Sequence, residues 1–600
     1  MARPHTPLSQ FHDKEKLMDS KRILIIGAVA LGPKVACRLK RLRPDFQVTM
    51  LDQGEYISYG GCGIPYYISG DLSDIKELLS TSFHMLRTPE FFEDAKDVRV
   101  RTRTRALAID RQYQQVLVKN LESGREEGLP YDYLVLATGS RPRRLPVPGA
   151  ELPGVMHVAS LPAAMAVREM VTKGEVGRAV IIGAGAIGCE MAEALSDLWG
   201  VETSLVELAP QVLPGLLDPG LARMVQKHLK DKEIDLYLNE QVREIRQIQA
   251  GEHPLEVVTA GRTLAADLVI TAVGAAPNSQ LAQDAGLLVS PHGGILVNRR
   301  LQTSDPNIYA GGDCIDNHHL ITGKPVYFPS GSLANRQGRV IGTNLAGGAA
   351  TFNGIVGSFT LKIFDLAIAG TGLSLTAARR EGFDAVEALV IQADRAHFFP
   401  TQDLMYLQLV VDQKTRRLLG AQGLSHNGDA LVGRINSIAA LLPFKPNLDD
   451  LSNLEVAYAP PFAAALDIIN AVANTAENTL DGLNKNIDVA QFAQCFLTDQ
   501  ADDTICLDVR GAQNAAPYVD LFGERWLNIP QETLKRRFAE IPQDKRLLVV
   551  CNSGVRSYEA LRQLETAGLC NAVNLAGGVA ALKKSGLLEL SESEDKGKED

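Results

Sequence analysis

The chain has 600 residues, of which 45% are hydrophobic and 22% are charged, with a formal net charge of -10 and a sequence pI near 5.7. This length exceeds a single core and predicts about four domains, since single domains run to about 100–200 residues. The sequence has no long Lys/Arg run and no uninterrupted apolar stretch of about 20 residues, so neither nucleic acid nor a membrane is an expected partner. We therefore expect a modular, soluble protein.

The two ends of the chain and its cysteines indicate where the protein is expected to reside in the cell. Residues 1–20 are polar and lack the apolar segment of a secretory signal, which predicts a disordered extension, and residues 591–600 predict a disordered tail. The eight cysteines occur without C-x-x-C pairing or metal-ligand spacing, so reduced thiols, a cytoplasmic location and no metal site are expected. They are Cys37, Cys62, Cys189, Cys314, Cys495, Cys506, Cys551 and Cys570.

The order of strand and helix patterns predicts an α/β fold with two Rossmann-like dinucleotide-binding domains, an α+β dimerisation or interface domain and a C-terminal α/β domain. In KRILIIGAVALG and GRAVIIGAGAIG, a β-branched strand runs into a glycine turn and then into a helix pattern. The predicted boundaries are 21–150 with 275–350 for the first nucleotide domain, 151–274 for the second, 351–470 for the interface domain, 471–485 for an Asn-rich linker and 486–590 for the C-terminal domain.

The second glycine motif predicts a nicotinamide dinucleotide site. In GAGAIG, Gly183 makes the tight turn, Gly185 lets the backbone approach a pyrophosphate, and Gly188 lets the helix pack on the strand. Glu207 ends the following strand, where its carboxylate would accept from a ribose 2′-hydroxyl, and Gly274 lies in the crossing that closes the domain. A carboxylate repels a 2′-phosphate, so NADH is favoured over NADPH. A structural turn that binds nothing is the alternative.

The first glycine motif is irregular, because Val29 stands between Gly27 and Gly32 where a second glycine is expected. Asp52, at the end of the next strand, supplies the ribose partner. Further positions that match the FAD contacts of flavin disulfide reductases are Thr138, Gly139 and Asp313. These features in this order predict an FAD site, with a sheet that binds nothing as the alternative.

Cys62 is the candidate redox residue of the first domain. It lies in SYGGCGIPYY between two glycines, soon after the acidic end of the second strand. Two-cysteine reductases carry C-x4-C here, yet position 67 is Tyr and position 57 is Ile, so no intramolecular partner is at hand. The sulfur must then cycle through a mixed disulfide, a persulfide or a sulfenic acid. Because only the thiolate reacts, a depressed pKa is predicted for Cys62; an inert buried cysteine is the alternative.

Several motifs together resemble the coenzyme A disulfide reductase group. They are SYGGCGIPYY, GAVALG with its Val, ATGSRPRRLPVPG, ANRQGR (334–339) and AYAPPF (457–462). The group includes NADH-dependent persulfide and polysulfide reductases with a fused rhodanese domain. The resemblance covers residues 22 to 590, and in this group Val at the second-glycine position is usual.

The resemblance implies further site residues. Coenzyme A would lie near Ser58, with its phosphates on the guanidinium groups of Arg38 and Arg41, although both arginines fit a solvated helix face equally well. The resemblance also implies a homodimer, in which Tyr458 reaches the sulfur chemistry of the partner subunit.

Two departures from the group shift the expected substrate. Gly61 stands where Asn often precedes the cysteine, and Phe398-Phe399-Pro400 replaces a Tyr-Tyr-Pro stretch, which removes one proposed proton donor. A persulfide or polysulfide is therefore favoured over coenzyme A disulfide. The main rival is an NADH oxidase or peroxidase with Cys62 as a sulfenic acid, but those enzymes usually place a His where this chain has Ala30.

A second reactive cysteine is predicted near the C-terminus. RLLVVCNSGVRSYEAL predicts a strand, a tight loop and a helix, with Cys551 at the loop start and Arg556 at its end. Loop amides from 552 to 556 would converge on the sulfur and stabilise a thiolate or persulfide. The C-x4-R spacing makes a smaller cradle than the C-x5-R of phosphatases and suits one extra sulfur atom. It resembles a rhodanese domain, in which Asp508 is expected to orient Arg556; a domain used only for docking is the alternative.

These patterns together predict an FAD-dependent NAD(P)H oxidoreductase that reduces persulfide, polysulfide or coenzyme A disulfide at Cys62. Cys551 would transfer sulfane sulfur, and the other six cysteines would be structural. The alternative from another functional class is a redox sensor or sulfur carrier that does not turn over substrate.

Overall fold

The computed structural model describes residues 20–249, 253–498 and 503–588. The predicted N-terminal extension up to residue 19 and the predicted tail lie outside the described residues.

The first part of the described chain forms two α/β units. The elements up to residue 142 are β1 (Arg22–Ile26), α1 (Leu31–Leu42), β2 (Gln47–Leu51), α2 (Ile64–Ser69), α3 (Lys76–Leu79), α4 (Pro89–Lys96), β3 (Arg99–Arg101), β4 (Thr104–Asp110), β5 (Gln115–Asn120), β6 (Glu126–Pro130), β7 (Tyr133–Leu136) and β8 (Ser140–Pro142). The second unit contains β9 (Val155–Met156), α5 (Leu161–Thr172), β10 (Arg178–Ile182), α6 (Ala186–Ser196), β11 (Glu202–Val206), α7 (Pro219–Asp231), β12 (Asp235–Tyr237), β13 (Val242–Gln247), β14 (Leu255–Thr259), β15 (Thr263–Ala266), β16 (Leu268–Thr271) and β17 (Ala275–Pro277). The chain then returns to the first unit through α8 (Gln280–Asp284), β18 (Ile308–Ala310), β19 (Asn317–His318), β20 (Pro325–Val326) and α9 (Gly331–Leu345).

Each unit is built on a five-stranded parallel core sheet. The strand orders are β18-β7-β1-β2-β3 and β12-β11-β10-β16-β9. The central strands β1 (RILII) and β10 (RAVII) are almost entirely buried, as expected for parallel strands covered on both faces. Because β18 pairs with β7, the second unit is inserted within the first. The carboxyl ends of β1 and β10 each run directly into a glycine loop and a helix, which is where such sheets bind ligands.

An antiparallel unit follows. Its elements are β21 (Phe359–Ile363), β22 (Leu366–Gly372), α10 (Leu375–Arg380), β23 (Ala385–Ala393), β24 (Leu404–Asp412), β25 (Leu418–Ser425), α11 (Gly428–Leu441), α12 (Leu448–Ser452) and α13 (Ile468–Leu480). The sheet order is β21-β22-β25-β24-β23, and a short turn after Asp412 joins β24 to β25. α11 and α13 pack on this sheet.

The prediction of a linker over 471–485 is wrong for most of its length, because α13 extends to Leu480. Its residues Val472, Ala473 and Ala476 are buried against the antiparallel sheet. These apolar positions recur at helical spacing, but they are interspersed with Asn, Thr and Glu, so the segment looks polar on average.

The C-terminal unit is a second small parallel α/β structure. Its elements are β26 (Asn486–Ile487), α14 (Val489–Phe492), β27 (Thr504–Asp508), α15 (Ala512–Phe522), β28 (Trp526–Asn528), β29 (Arg546–Val550), α16 (Val555–Thr566), β30 (Ala572–Leu575) and α17 (Gly578–Lys584). The sheet order is β26-β30-β29-β27-β28. The unit packs against β23 of the antiparallel unit in the same chain. The contact at Gly577 is so close that an added Cβ would lie 2.8 Å from Ile391 Cδ1 and 3.2 Å from Leu389 Cδ2.

The predicted α/β fold class is therefore confirmed, with two parallel Rossmann-like sheets, an antiparallel sheet and a parallel C-terminal sheet. Within the described ranges, no helix combines the length and apolar character needed to cross a bilayer.

Asp218 joins the second α/β unit to the antiparallel unit. It is 1% exposed at the start of α7. Its carboxylate accepts from the backbone N–H groups of Leu375 and Thr376 at 2.7 and 3.1 Å, and from the side-chain amides of Gln408 and Gln422 at 3.0 and 3.1 Å. One buried carboxylate thus satisfies donors from a helix start and from two strands of the neighbouring unit.

We expect Asp218→Ala to lower the thermal unfolding midpoint by roughly 5 °C or more, because it leaves several buried donors without an acceptor. Asp231→Ala is the matched control on the same helix: its carboxylate is 53% exposed and pairs with Lys227, so its loss should change the midpoint by only about 1 °C. Equal shifts in scanning calorimetry would contradict the bridging role.

Candidate active site

The two glycine loops repeat the same close contacts. A Cβ added at Gly27 would lie 2.0 Å from Ala137 O, and one at Gly32 would lie 2.0 Å from Gly27 O. In the second loop, a Cβ at Gly188 would lie 1.9 Å from Gly183 O. These glycines are required by packing of the backbone itself, since no side chain fits in such gaps.

The middle position of each loop is different. A Cβ added at Gly185 would have no atom within 4 Å, so the fold leaves open space there. This explains how Val29 can replace the equivalent glycine in the first loop without disturbing the turn.

Each loop is tied to the strand that follows it by one carboxylate. Asp52 accepts from the backbone N–H of Ala28 at 2.8 Å, and Glu207 accepts from that of Ala184 at 2.7 Å. Each also accepts from an N–H two residues further along its own segment. The predicted ribose partners are therefore brought to their glycine loops, and burial raises the pKa of Asp52.

The residues present fit two dinucleotides. The N-cap residues of α1 and α6 are Ala30 and Gly185, which provide no side-chain cap, so the first amides of both helices are open to a pyrophosphate. Thr138 and Gly139 lie beside the first loop's sheet, held by bonds to Asn278 at 2.6 and 2.9 Å. A Cβ at Gly139 would meet nothing within 4 Å. Gly274, which has a φ of +100°, closes the second unit where the chain crosses back.

Cys62 lies in a short 3-10 turn, Gly61–Gly63, which leads into α2. The residue is exposed, and none of the eight cysteines, all of which lie in the described part of the chain, forms a disulfide. A Cβ added at Gly331, the first residue of α9, would be 3.8 Å from its Sγ. Asp313 accepts from the N–H of Ser330 at 3.0 Å, so the start of α9 joins Cys62 to the predicted FAD contact at Asp313.

The prediction of a depressed pKa for Cys62 is wrong, because the surrounding protein raises the pKa of this thiol. Partial burial and the carboxylates of Glu190 and Asp313 raise the pKa of the Cys62 thiol. The prediction failed because both carboxylates come from segments remote in sequence.

Glu190 is a residue that the sequence reasoning missed. It lies on α6, just after the second glycine loop, and burial together with Glu193 raises its pKa to about 7. The available signal was two glutamates in the otherwise apolar helix AIGCEMAEALS. A charged residue on a buried helix face calls for a functional or pairing explanation.

The three residues predicted to meet coenzyme A lie around α1. Arg38 donates from Nε to Thr343 Oγ1 at 3.1 Å, and burial together with Arg339 and Arg41 lowers its pKa. The three guanidinium groups thus form an arginine cluster, Arg38, Arg41 and Arg339, whose mutual repulsion a polyanion would relieve. Ser58 is buried with a φ of 50°, and its N–H donates to Ala28 O at 2.7 Å.

Cys551 is fully buried at the end of β29. Its Sγ accepts from the Gly554 N–H at 3.1 Å and from the Ser557 hydroxyl at 3.3 Å. One of the predicted loop amides is therefore aimed at the sulfur, and Ser557 adds a donor that the sequence reasoning missed. Arg556 is the second residue of α16 and is partly exposed.

The prediction that Asp508 orients Arg556 is wrong. Asp508 is fully buried and accepts from Arg510 Nη2 at 2.6 Å and from Trp526 Nε1 at 3.1 Å. The guanidinium group of Arg510 also lies over the Tyr518 ring, 4.8 Å from its centroid. Arg510, two residues after Asp508, binds its carboxylate at the end of β27. Asp508 therefore pairs with Arg510 and not with Arg556.

A cleft of ≈ 1670 Å³ separates the antiparallel and C-terminal units. Its walls include Arg395, Phe398 and Tyr458 on one side and Asn552 and Gly554 of the Cys551 loop on the other. Tyr458 is 52% exposed. Within one chain, Tyr458 therefore faces the Cys551 loop, and Cys62 lies outside this cleft.

Comparison with known families matches three segments of the chain. Residues 21–337 match the family described as pyridine nucleotide-disulphide oxidoreductase, and residues 358–468 match the dimerisation domain of the same proteins. Residues 501–585 match the rhodanese-like domain.

Individual proteins match over long stretches. The "NAD(P)H sulfur oxidoreductase (CoA-dependent)" of Pyrococcus furiosus is 35% identical over 76% of this chain and 99% of its own length. An "NADH oxidase" of Methanocaldococcus jannaschii is 32% identical over 76% of this chain and 98% of its own. The structure of an NAD-dependent persulfide reductase from A. fulgidus aligns with a TM-score of 0.87 and 37% identity, over 93% of this chain and 99% of that one.

We expect Asp508→Asn to destabilise the C-terminal unit, because it leaves the buried Arg510 guanidinium without its carboxylate. Arg556→Ala removes a partly exposed arginine and should leave stability within about 0.5 kcal/mol while reducing sulfur transfer. Limited proteolysis and thermal unfolding check the first effect, and a sulfurtransferase assay checks the second. If Asp508→Asn instead spared stability and matched the transfer defect of Arg556→Ala, Asp508 would be the orienter after all.

Proposed function

Because the chain belongs to the pyridine nucleotide-disulphide oxidoreductase family and carries a rhodanese domain, it is a flavin-dependent NAD(P)H oxidoreductase acting on sulfur compounds, and we propose that it reduces persulfide or polysulfide sulfur. This membership confirms the resemblance predicted from the motifs.

The observation that carries the proposal is that Cys62, exposed and without a disulfide partner, lies beside the predicted flavin contact Asp313. Cys62 forms no disulfide with another cysteine of the chain, and positions 57 and 67 are Ile and Tyr, so we infer that the sulfur to be reduced is held on Cys62 as a persulfide or mixed disulfide. Gly61 leaves the thiol uncovered, and Phe398 offers no hydroxyl where a proton donor is often found. We infer that a small sulfane-sulfur substrate suits this site better than bulky coenzyme A disulfide.

The two glycine loops would hold the cofactors. Gly27, Gly32 and Asp52 support an FAD site, and Gly183 with Glu207 supports a nicotinamide site. When bound, FAD supplies the transfer of two electrons from the nicotinamide to sulfur. Glu207 ends the strand with a carboxylate, and a 2′-phosphate beside it would be repelled, so we infer that NADH is used in preference to NADPH.

Cys551 would carry sulfane sulfur in the rhodanese domain. Its buried sulfur already accepts from Gly554 and Ser557, and these donors would stabilise an added terminal sulfur. We infer that Cys551 delivers sulfur toward Cys62, with coenzyme A held by the arginine cluster as the carrier thiol. The dimerisation-domain match supports a homodimer, in which the partner's Tyr458 would approach Cys62. Eight free cysteines suit the reduced thiol pool of the cytoplasm.

An NADH oxidase is the second candidate, since one relative carries that name and Cys62 could be held as a sulfenic acid. Ala30 in the first glycine loop offers no proton donor for peroxide chemistry, which argues against it.

We expect Cys62→Ser to lower acceptor-dependent NADH oxidation by about a thousandfold or more, because the sulfur-holding nucleophile is lost. Cys551→Ser should slow reduction of polysulfide and leave reduction of coenzyme A persulfide intact. The exposed Cys570→Ser is the matched control and should behave as wild type. The rates are measured with coenzyme A disulfide, coenzyme A persulfide, polysulfide and oxygen.

If Cys551→Ser reduces polysulfide at the wild-type rate, the proposed sulfur transfer from Cys551 to Cys62 is wrong. If oxygen is the fastest acceptor, the protein is an oxidase and not a persulfide reductase.

A further inference from the structure

The sulfur atom of Cys551 is covered by the loop that follows it. Cys551 is 0% exposed, and its loop residues Asn552, Ser553, Gly554 and Val555 line the cleft of ≈ 1670 Å³ between the antiparallel and C-terminal units. A molecule that enters the cleft therefore meets the loop before it meets Sγ. Exchange of sulfur with the cleft takes place at an outer sulfur atom carried on Sγ, while Sγ itself stays shielded.

The loop is held in place by bonds to its backbone from the start of α17. The Cys551 carbonyl accepts from the Val579 N–H at 2.8 Å. The Asn552 carbonyl accepts from the Ala580 N–H at 2.9 Å. A Cβ added at Gly578 would lie 2.3 Å from Cys551 O, so the two segments are in direct backbone contact. The position of Sγ is therefore set by the fold before a substrate binds.

Two hydrogen-bond donors reach Sγ in this setting. The Gly554 N–H lies 3.1 Å from Sγ, and the Ser557 hydroxyl lies 3.3 Å from it. Gly554 has a φ of +97°, a left-handed conformation that favours glycine, so the turn that directs its N–H depends on this residue. Ser557 is 0% exposed in the first turn of α16. Its hydroxyl is thus a buried donor that is directed at the reactive sulfur.

Both donors contact the sulfur atom whose charge changes during transfer. Sγ is a thiolate before it receives sulfur, neutral while it carries an outer sulfur atom as a persulfide, and a thiolate again after transfer. Hydrogen bonds to an ionised acceptor are roughly twice as strong as bonds to a neutral acceptor. A donor fixed on Sγ therefore stabilises the state in which the outer sulfur has left, relative to the persulfide.

We propose that Ser557 is a catalytic residue of sulfur transfer, whose hydroxyl stabilises Cys551 as the leaving thiolate when the outer sulfur atom passes to an acceptor thiol. This inference rests on the proposed function, in which Cys551 carries sulfane sulfur. It assigns Ser557 to the release of sulfur from the rhodanese domain and not to its capture.

The release step balances without an oxidant or a reductant. The acceptor thiol loses its proton to solvent and attacks the outer sulfur atom as a thiolate. A new S–S bond forms between the acceptor and the outer sulfur, and the bond between the outer sulfur and Sγ breaks. The electron pair of the broken bond stays on Sγ, so Cys551 becomes a thiolate. The acceptor leaves as a persulfide that carries the outer sulfur and its proton, and Ser557 keeps its own proton.

Capture of sulfur responds differently to the same hydrogen bond. In capture, Cys551 is the attacking thiolate, and a stabilised thiolate is a weaker nucleophile, whereas a stabilised leaving thiolate departs faster. At about pH 9.5, thiols of ordinary acidity are mostly ionised. Removal of the Ser557 hydroxyl should therefore slow release at this pH and should not slow capture.

The test compares Ser557→Ala with Ser585→Ala in the full-length protein without NADH. Ser585 is 4% exposed in the same unit and donates to Leu582 O at 2.9 Å, so its loss removes a buried hydroxyl away from the sulfur. Polysulfide loads Cys551 at about pH 9.5 and is removed, and coenzyme A thiol then releases the bound sulfur. Both rates are followed by mass spectrometry of the tryptic peptide 547–556, which is identical in wild type and variants.

Ser557→Ala should release sulfur about tenfold more slowly than wild type, as expected for the loss of one hydrogen bond to a charged group, and its capture of sulfur should not slow. Ser585→Ala should match wild type in both steps. Ser557→Thr, which keeps a hydroxyl, should recover part of the release rate. During turnover with polysulfide and coenzyme A thiol, sulfur-bound Cys551 should accumulate in Ser557→Ala.

A structural role of Ser557 gives another pattern. The ratio of the release rate to the capture rate is compared within each variant, because partial unfolding lowers both rates together. If this ratio is unchanged in Ser557→Ala, or if sulfur-bound Cys551 decreases during turnover, the hydroxyl only supports the loop and the proposal is overturned. Failure of the proposed function is distinct: wild-type Cys551 would then take up no sulfur from polysulfide, and the inference would fall with it.

Discussion

Cys62 stands in a glycine-flanked turn without a disulfide partner and without the second cysteine of a C-x4-C pair, and the proposed chemistry of the active site follows from this constraint. A reductase with two cysteines can store the electrons of NADH in an internal disulfide and dithiol. A single thiol cannot, so substrate sulfur must bind to it covalently and must be released by reduction each time. The proposed chemistry therefore needs a flavin near Asp313 and a carrier that brings sulfur to Cys62.

The arrangement of units places these requirements at interfaces. Cys62 belongs to the first nucleotide unit, whereas Glu193 of the inserted second unit pairs with Lys362 of the antiparallel sheet. Asp218 fixes the second unit to that sheet through buried hydrogen bonds. The rhodanese domain docks on the same sheet at Gly577, where a side chain would clash with Ile391. The second nucleotide unit and the rhodanese domain thus both contact one shared sheet.

Much of the fold could be predicted because its signals are local. The loops require glycine, because an added Cβ at Gly27, Gly32 or Gly188 would lie about 2 Å from a backbone oxygen. Their hydrogen-bond partners Asp52 and Glu207 follow at the end of the next strand. The reactive cysteines stand out for similar reasons, since their flanking glycines and loop spacing are visible in the chain. Val29 looked anomalous in the sequence, and the open space at the equivalent Gly185 accounts for it.

What could not be predicted depends on packing between remote segments or on competition between neighbours. Burial raises the pKa of the Cys62 thiol, and so do Glu190 and Asp313, which come from segments remote in sequence. Asp508 binds Arg510 and not Arg556, a choice between two arginines that spacing does not resolve. α13 could not be predicted, because polar residues are interspersed among the apolar residues of its buried face.

The most direct measurement of the central claim is mass spectrometry of the Cys62 peptide after anaerobic incubation of the full-length protein with polysulfide. The account predicts one added sulfur atom on Cys62 that disappears on addition of NADH, whereas an unmodified Cys62 thiol throughout active turnover would contradict it.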